Sequence, residues 1–532
     1  MPLRYGLENF KCFGSLQTME FAPITLIYGR NSSGKSSLIQ SLMLLKQSFE
    51  SPTRGVHDLA PKGPLVDLGS YSTYVHGHDV RKGLRFQLDF HLDSTRPELI
   101  ASVELEYTME SRRKRQRRLQ RAAELDPHRS MPAAADEALD DSGPWEFLNK
   151  VTATMLSPHG DVLLRIPLQR ALAEGGDLSE AVTGNVYRTR TFRLARHADA
   201  VALADQLQSP GFSEALEQLN SGRGGPGSPF AILKEPVGTP SKLTPPSMPR
   251  ADLVSTLRDL RLQGSPFPTM SLIAWGKGSR KDDLHGLAGV LDHLGGGLLR
   301  VLNTMALVGP LRAPPARVYE LANSPGRSVG IRGEFMPSLL ASSAPDRLTE
   351  LNAWIQRLGI PYELTVRLQD LAPAGAFIVL ALRDTRTGVM VTPSDVGFGV
   401  GQLLPILAQG ILGDSSTTCV MQPELHLHPR LQAALGDFFI GTTFPEAVVA
   451  LRGHDPVQHW IIETHSEALM LRIQRRIREG RLSNEHVSVL YVDDSDGSSR
   501  VLRLRLDEQG RFIDEWPGGF FEESFRELFP EE

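Results

Sequence analysis

The 532-residue chain has only two cysteines, Cys12 and Cys419. This excludes a disulfide scaffold and any four-cysteine zinc site, and it suits a reducing compartment. Long apolar runs are missing too: no stretch is long enough to span a bilayer, and the opening MPLRYGLENFKCF has no continuous apolar leader core. The expectation is a cytoplasmic protein without membrane contact. Positive charge is not in excess, with 57 Lys and Arg against 62 Asp and Glu and a net charge of −5. Any nucleic acid must therefore be met by a local patch. Sustained heptads are absent as well, which argues against long coiled-coil arms. What remains, 41% apolar and 22% charged residues, is the composition of a globular chain long enough for two or three domains.

The strongest local signal is FAPITLIYGRNSSGKSSLIQSLMLLKQ. Ile24 to Tyr28 form a short apolar run that predicts a buried strand, and SSLIQSLMLLKQ spaces its apolar residues as a helix does. Between them stands Gly29-x-x-x-x-Gly34-Lys35-Ser36. Strand, glycine loop and helix together give the context in which a P-loop is credible. Gly29 and Gly34 let the loop that carries Asn31, Ser32 and Ser33 close its backbone N–H groups around phosphate oxygens. The helix start at Lys35, Ser36 and Ser37 adds the positive end of a dipole. Lys35 is placed to reach the β- and γ-phosphates, and the Ser36 hydroxyl to ligate Mg²⁺, so ATP and Mg²⁺ are the cofactors implied.

The longer stretch LENFKCFGSLQTMEFAPITLIYGRNSSGKSSLIQSLMLL resembles the opening of the ABC-type head ATPases of the SMC, RecF and OLD group. There a strand pair precedes the P-loop and an asparagine follows its first glycine, as Asn31 does here. Lys11 matches a basic residue that lies near the nucleotide in several of these families. Three further segments fall in the order the group requires. PSDVGFGVGQLLPILAQGIL stands in the place of the signature motif. In the likeness, Gly397, Gly399 and Gly401 approach the γ-phosphate held by the opposite subunit, and Gln402 opens the following helix. TTCVMQPELHLHPRLQAALGDFF matches the Walker B strand and D-loop, and HWIIETHSEALMLRIQRRI matches the switch-histidine segment around His465.

The tail GSSRVLRLRLDEQGRFIDEWPGGFFEESFRELF, with ALVGPLRAPPARVY and PELHLHP, is similar to a bacterial family of AAA/ABC-type ATPases. Among its wider relatives are the PtuA-like ATPases of anti-phage defence. The resemblance implies an α/β fold: a mixed sheet with flanking helices plus a small antiparallel sheet, interrupted by a largely helical insertion. It also implies a homodimer or higher homo-oligomer that sandwiches ATP and Mg²⁺. Its output would pass through a separate effector, a nuclease or DNA itself.

Aligned on Pro423, the two Walker B acids of that group are here Met421 and Gln422. A thioether cannot hold a hard cation. Gln422 can orient a water but cannot accept its proton, and losing a positioned base costs about 10²–10⁴-fold in rate. The expectation is tight nucleotide binding with slow hydrolysis, with Gln422, Glu424 and His465 as the catalytic candidates. Glu424 and Glu463 are alternative sources of the missing carboxylate. A scaffold that binds nucleotide without hydrolysing it is the competing reading.

The remaining text predicts an N-terminal lobe over residues 1–110, an insertion of helices and linkers over 111–300, and a C-terminal lobe over 301–532. GLRFQLDFHLDS and ELIASVELEYTME alternate as antiparallel strands do. The Q-loop position, GPLVDLGSYSTYVHG, lacks its glutamine. The basic run Ser111–Arg121 reads as a solvated or disordered excursion, with phosphate-backbone contact as the alternative. Helical patterns follow at Asp252–Leu262 and Asp282–Leu307, and TRTG predicts a hairpin turn. Arg312 and Arg317 are open to a surface role or to contact with a partner or phosphate. Asp493, Asp494 and Asp496 imitate nuclease metal ligands but read better as a strand and acidic turn. His426 and His428 are better explained by the D-loop than by a metal.

Overall fold

The computed structural model describes residues 2–50, 59–93, 96–110, 145–157, 160–170, 191–194, 196–221, 245–263, 271–274, 285–321, 326–370, 375–445 and 457–517. The basic run at 111–121 and most of the Gly/Pro-rich linker lie outside these. The chain forms two compact units, one from Met19–Met43 with Thr304–Glu532, the other from Pro2–Thr18 with Leu44–Asn303.

Strands β1 (Pro2–Glu8), β2 (Gln17–Glu20) and β3 (Ile24–Gly29) open the chain. After the P-loop helix Lys35–Glu50 come β4 (Leu84–Asp93) and β5 (Arg96–Glu110), and then β6 (Trp145–Leu156), β7 (Val162–Arg170) and β8 (Thr191–Leu194). Strands β9 (Leu260–Gln263) and β10 (Ser271–Ala274) complete a nine-stranded sheet of order β10-β9-β8-β7-β6-β5-β4-β1-β2. Its period is plain on β4 and β5, where Leu84, Phe86, Leu88 and Phe90 meet Ala101, Val103, Leu105 and Tyr107 in the core.

The stretch expected to be largely helical holds the helices His197–Leu207, Pro210–Ser221, Arg250–Asp259 and His285–Asn303, and with them strands β6 to β10, which prolong the sheet begun by β4 and β5. On β6 the buried residues are Leu148, Val151, Ala153 and Met155. The offset between Leu148 and Val151 comes from a register shift against β5 between Glu106 and Tyr107, which breaks a strict period of two.

The other unit holds the P-loop. Strand β11 (Met305–Val308) precedes a small four-stranded sheet of β12 (Tyr319–Glu320), β13 (Tyr362–Asp370), β14 (Ala376–Asp384) and β15 (Met390–Val391). The TRTG turn joins β14 to β15, with Gly388 at φ +74° and its N–H donated to the Asp384 carbonyl. Next come β16 (Thr417–Met421), β17 (His459–Glu463), β18 (Val487–Asp493) and β19 (Arg500–Leu504).

With β11 and β3 these four make a six-stranded sheet of order β11-β16-β17-β3-β18-β19. All its neighbours are parallel except β19, which runs antiparallel to β18. Strands β3 and β16 are buried along their whole length, as parallel strands covered on both faces must be. Because β16, β17, β3 and β18 run the same way, their C-terminal ends share one edge, where ligands of open α/β sheets bind. That edge receives the P-loop, the Pro423 turn, Thr464-His465 and the acidic turn after Asp493.

Candidate functional site

The P-loop is shaped by its neighbours. Gly29 sits at φ +146°, and a Cβ there would lie 2.5 Å from the Val492 carbonyl oxygen of β18. Only glycine fits against that strand. Gly34 is at φ +111° and Ser32 at φ +66°, so the backbone turns back between them. The loop is braced by Ser499, whose hydroxyl donates to the Ser33 carbonyl at 2.6 Å. Lys35 is buried, and its Nζ donates to the Gly29 carbonyl at 3.0 Å and the Arg30 carbonyl at 2.7 Å. Burial lowers its ammonium, while Glu463, Glu424 and Asp494 pull the other way. Asn31, Ser32, Ser33, Ser36 and Ser37 all fall in this loop or in the first turn of the helix it feeds.

Beyond β16 the chain leaves in a left-handed step, with Gln422 at φ +47° and its N–H donated to the Glu463 carbonyl at 2.7 Å. Two side chains hold this turn, Glu424 from within it and Arg312 from outside. Glu424 accepts from the Thr464 hydroxyl and from the His465 N–H, each at 2.7 Å, so both of its oxygens are engaged. Arg312, 3% exposed, donates to the Met421 carbonyl at 2.8 Å and the Gln422 carbonyl at 3.2 Å, and its Nε meets no partner among the described residues. Desolvation pulls this guanidinium down to about 10, with Glu424 opposing.

Gln402, expected to open a helix, instead lies inside Phe398–Leu412, because the helix starts at Phe398 with Gly397 as its cap. Its side chain clamps the Arg312 peptide, accepting from the N–H and donating to the carbonyl at 3.2 Å each. Arg312 therefore faces inward, which overturns its surface reading. Arg317 is exposed and pairs with Asp395.

Ser36 Oγ donates to Glu463 Oε1 at 2.8 Å. Glu463 is 1% exposed, and its Oε2 is buried without a hydrogen-bond partner among the described residues. Desolvation raises its carboxyl, opposed by Ser36 and Lys35; Glu424 pushes it up further and the Gln422 side chain pulls weakly down. A serine hydroxyl beside a carboxylate oxygen with a spare lone pair is the donor set of a hard divalent cation. Mg²⁺ commonly takes one or two carboxylates and completes its shell with phosphate and water. The residues present thus fit Mg²⁺, which when bound would neutralise triphosphate charge.

The imidazole of His465 is half-buried and is pulled down to about 4, first by burial and then by Lys35, so it is neutral at pH 7. The following helix starts where Ser466 caps it, its hydroxyl accepting from the Leu469 N–H at 3.1 Å. Gly399 and Gly401 have packing reasons within the chain. A Cβ on Gly399 would stand 2.6 Å from the His426 carbonyl, and one on Gly401 would stand 2.5 Å from Pro315 Cγ. Gly397 has open space around it.

His428 caps the helix Pro429–Thr443 through Nδ1, and the ring of His426 stacks edge-on against Phe398 at 4.8 Å. After β18, Ser495 donates to Asp493, and Asp496 pairs with Arg500, as an acidic turn should. Among the described residues no group of three or more His, Cys, Asp or Glu is arranged to hold a metal. Lys11 belongs to the other unit, with φ +50°, its N–H on the Tyr74 carbonyl and its ammonium 5.9 Å from the Phe10 ring centre.

The pairing of Ser36 with Glu463 and the clamp of Gln402 on Arg312 were not specified by the motifs. The acidic residue before Thr464-His465 was the one signal toward the first. The GPLR segment flagged Arg312, though not its inward direction.

Residues 6–124 match the family described as AAA domain, and residues 482–529 match one described as Protein of unknown function (DUF3696). No curated protein matches the chain. The chain is similar in structure to the SMC head domain from Thermotoga maritima, at 10% identity and a TM-score of 0.33, covering 95% of this chain and 99% of that one. It is likewise similar to an Smc head with an extended coiled coil bound to the C-terminal domain of ScpA, from Pyrococcus furiosus, at 13% identity and TM-score 0.34, covering 95% and 97%. An SmcHead bound to the C-winged helix domain of ScpA gives 11%, 0.35, 95% and 98%. Among the described residues no helix is long and apolar enough to cross a membrane. The AAA-domain match lies over the P-loop and over β3, the strand that its parallel neighbour β17 flanks.

Proposed function

We propose that the protein binds ATP with Mg²⁺ in this loop, dimerises around the nucleotide and hydrolyses it slowly. A long-lived nucleotide-bound dimer would then control a separate effector, a nuclease or DNA, in anti-phage defence or DNA surveillance. The observation that carries the reading is one edge of the sheet. There a closed glycine loop with an inward-facing Lys35 sits beside a Walker B strand that ends in Met421 and Gln422. The glycine loop and its lysine support nucleotide binding, while the strand that ordinarily supplies the base supplies none. Glu424, the nearest acid in sequence, has both oxygens engaged.

Gln422 can hold a water in place, and Lys35 can neutralise developing phosphate charge. The neutral imidazole of His465 can donate to a γ-phosphate oxygen or accept from the water. The role in defence, the effector and the facing of Gly397, Gly399 and Gly401 toward a second copy rest on the family resemblance. Phosphate release by the full chain, with mass measured by light scattering with and without ATP, tests the reading. Slow release abolished by Lys35→Ala, with ATP-dependent dimers, is expected. ATP-dependent dimers without any release would favour the silent scaffold, and neither would overturn both.

A further inference from the structure

Strand β17 lies between β16 and the P-loop strand β3, and its last residue is Glu463. In register, Glu463 stands beside Met421 on one side and Ile27 on the other. A carboxylate here is one strand nearer the loop than a Walker B acid on β16 would be. Its Oε1 already holds the Ser36 hydroxyl at 2.8 Å, and its Oε2 is buried and unpartnered among the described residues. By accepting the hydrogen bond from Ser36, the carboxylate leaves the hydroxyl lone pairs turned away from it, ready for a cation.

The other acids nearby are less suited. Glu424 is tied to Thr464 and His465, and Asp494, within electrostatic reach of Lys35, is only half-buried on the turn after β18. The Met421 thioether is no ligand for a hard cation.

We infer that the metal-anchoring acid of this head has moved from β16 to β17, where Glu463 with Ser36 holds the Mg²⁺ of a bound nucleoside triphosphate. The inference rests on the nucleotide-binding reading above. It names a residue for the cation and leaves the hydrolytic base aside. Because Glu463 is buried between two strands, the site is built before nucleotide arrives, and Mg²⁺ should enter with the triphosphate oxygens that complete its shell.

The test is equilibrium binding of a fluorescent ATP analogue to the full-length protein, with Mg²⁺ and with excess chelator. Electron paramagnetic resonance of Mn²⁺ in the same mixtures gives a second readout. The wild type should bind the analogue at least ten-fold tighter with Mg²⁺. Glu463→Gln should cut that ratio to about two-fold or less while leaving chelator-state affinity equal or higher, since a negative charge beside the triphosphate is removed. Its bound-Mn²⁺ signal should fall in parallel. Glu463→Asp, which keeps the charge one methylene shorter, should retain part of the ratio and guards against misfolding of the glutamine variant. Met421→Asp placed on Glu463→Gln should restore part of it from the neighbouring strand.

A Glu463→Gln protein with full Mg²⁺ enhancement overturns the inference and leaves nucleotide binding intact. So does loss of the enhancement in Glu424→Gln with Glu463→Gln unaffected. A wild type that binds no nucleotide in either buffer overturns both.

Discussion

Arg312→Met is the perturbation whose outcome the geometry fixes most tightly. The methionine keeps most of the apolar stem and removes the guanidinium, and with it two charge-assisted hydrogen bonds, to the Met421 and Gln422 carbonyls. Such bonds contribute about 1.5–3 kcal/mol each, or roughly 3–6 kcal/mol together. Against this stands the cost of keeping a charge in a nearly dry site. A guanidinium pulled from 12.5 down to about 10 corresponds to about 3 kcal/mol of disfavoured ionisation, and its unsatisfied Nε adds to the relief on removal. The two terms largely offset, so the variant should lose only about 1–2 kcal/mol at neutral pH.

The loss should also depend on pH. Burial raises the Glu424 carboxyl; the His465 N–H and the Thr464 hydroxyl oppose it first, and the charge of Arg312 adds a smaller downward pull. Without Arg312 the carboxyl climbs further above its ordinary value, so across the interval between the two values the folded state binds more of a proton than the unfolded chain does. Stability contributed by that protonated carboxyl is present below the ordinary glutamate value and is lost as pH rises toward the raised one. The deficit of Arg312→Met relative to wild type should therefore be smaller at pH 5 than at pH 8. Urea unfolding at both pH values, followed by tryptophan fluorescence and circular dichroism, measures it. A loss above about 5 kcal/mol, or a deficit that is flat in pH, refutes the reasoning.

Three other outcomes follow from the same contacts. Gln422→Glu places a base where the Walker B strand lacks one and should raise single-turnover phosphate release by about 10–100-fold; an unchanged rate would mean that residue 422 does not face the attacking water. Gly399→Ala drives a methyl to within 2.6 Å of the His426 carbonyl and should cost about 1–3 kcal/mol in denaturant titration; a neutral result would require that turn to yield freely. Ser499→Ala removes the 2.6 Å brace on Ser33 and should cost about 1 kcal/mol while weakening nucleotide binding several-fold; unchanged affinity would show that the loop holds its shape without the β19 side.

What was legible in the sequence was what lies close along the chain. Strand, glycine loop and helix from Ile24 to Gln47 are contiguous, so periodicity and turn chemistry specify them, and the alternation in β4 and β5 is equally local. The hairpin at TRTG and the acidic turn after Asp493 were readable for the same reason. The pairing of Ser36 with Glu463 spans 427 positions, and no local preference encodes it. It exists because the order β16-β17-β3 brings the end of β17 beside the loop. Arg312 was visible as a charged residue between prolines, yet its direction is decided by Gln402, 90 positions away. Strands β6 to β10 lie apart along the chain, spread from Trp145 to Ala274 with helices between β8 and β9, and their identity comes from the β4–β5 edge on which they build.

The double grip of Glu424 carries a mechanical consequence. Since one carboxylate holds both the Thr464 side chain and the His465 backbone, the turn after Met421 and the histidine segment travel as a single rigid piece. If a γ-phosphate draws on His465, as proposed above, it would also tug the helix Pro429–Thr443, whose Gln432 accepts a hydrogen bond from Ser466. Loss of that phosphate would relax both together, giving the head one coordinated stroke in place of two independent loop movements.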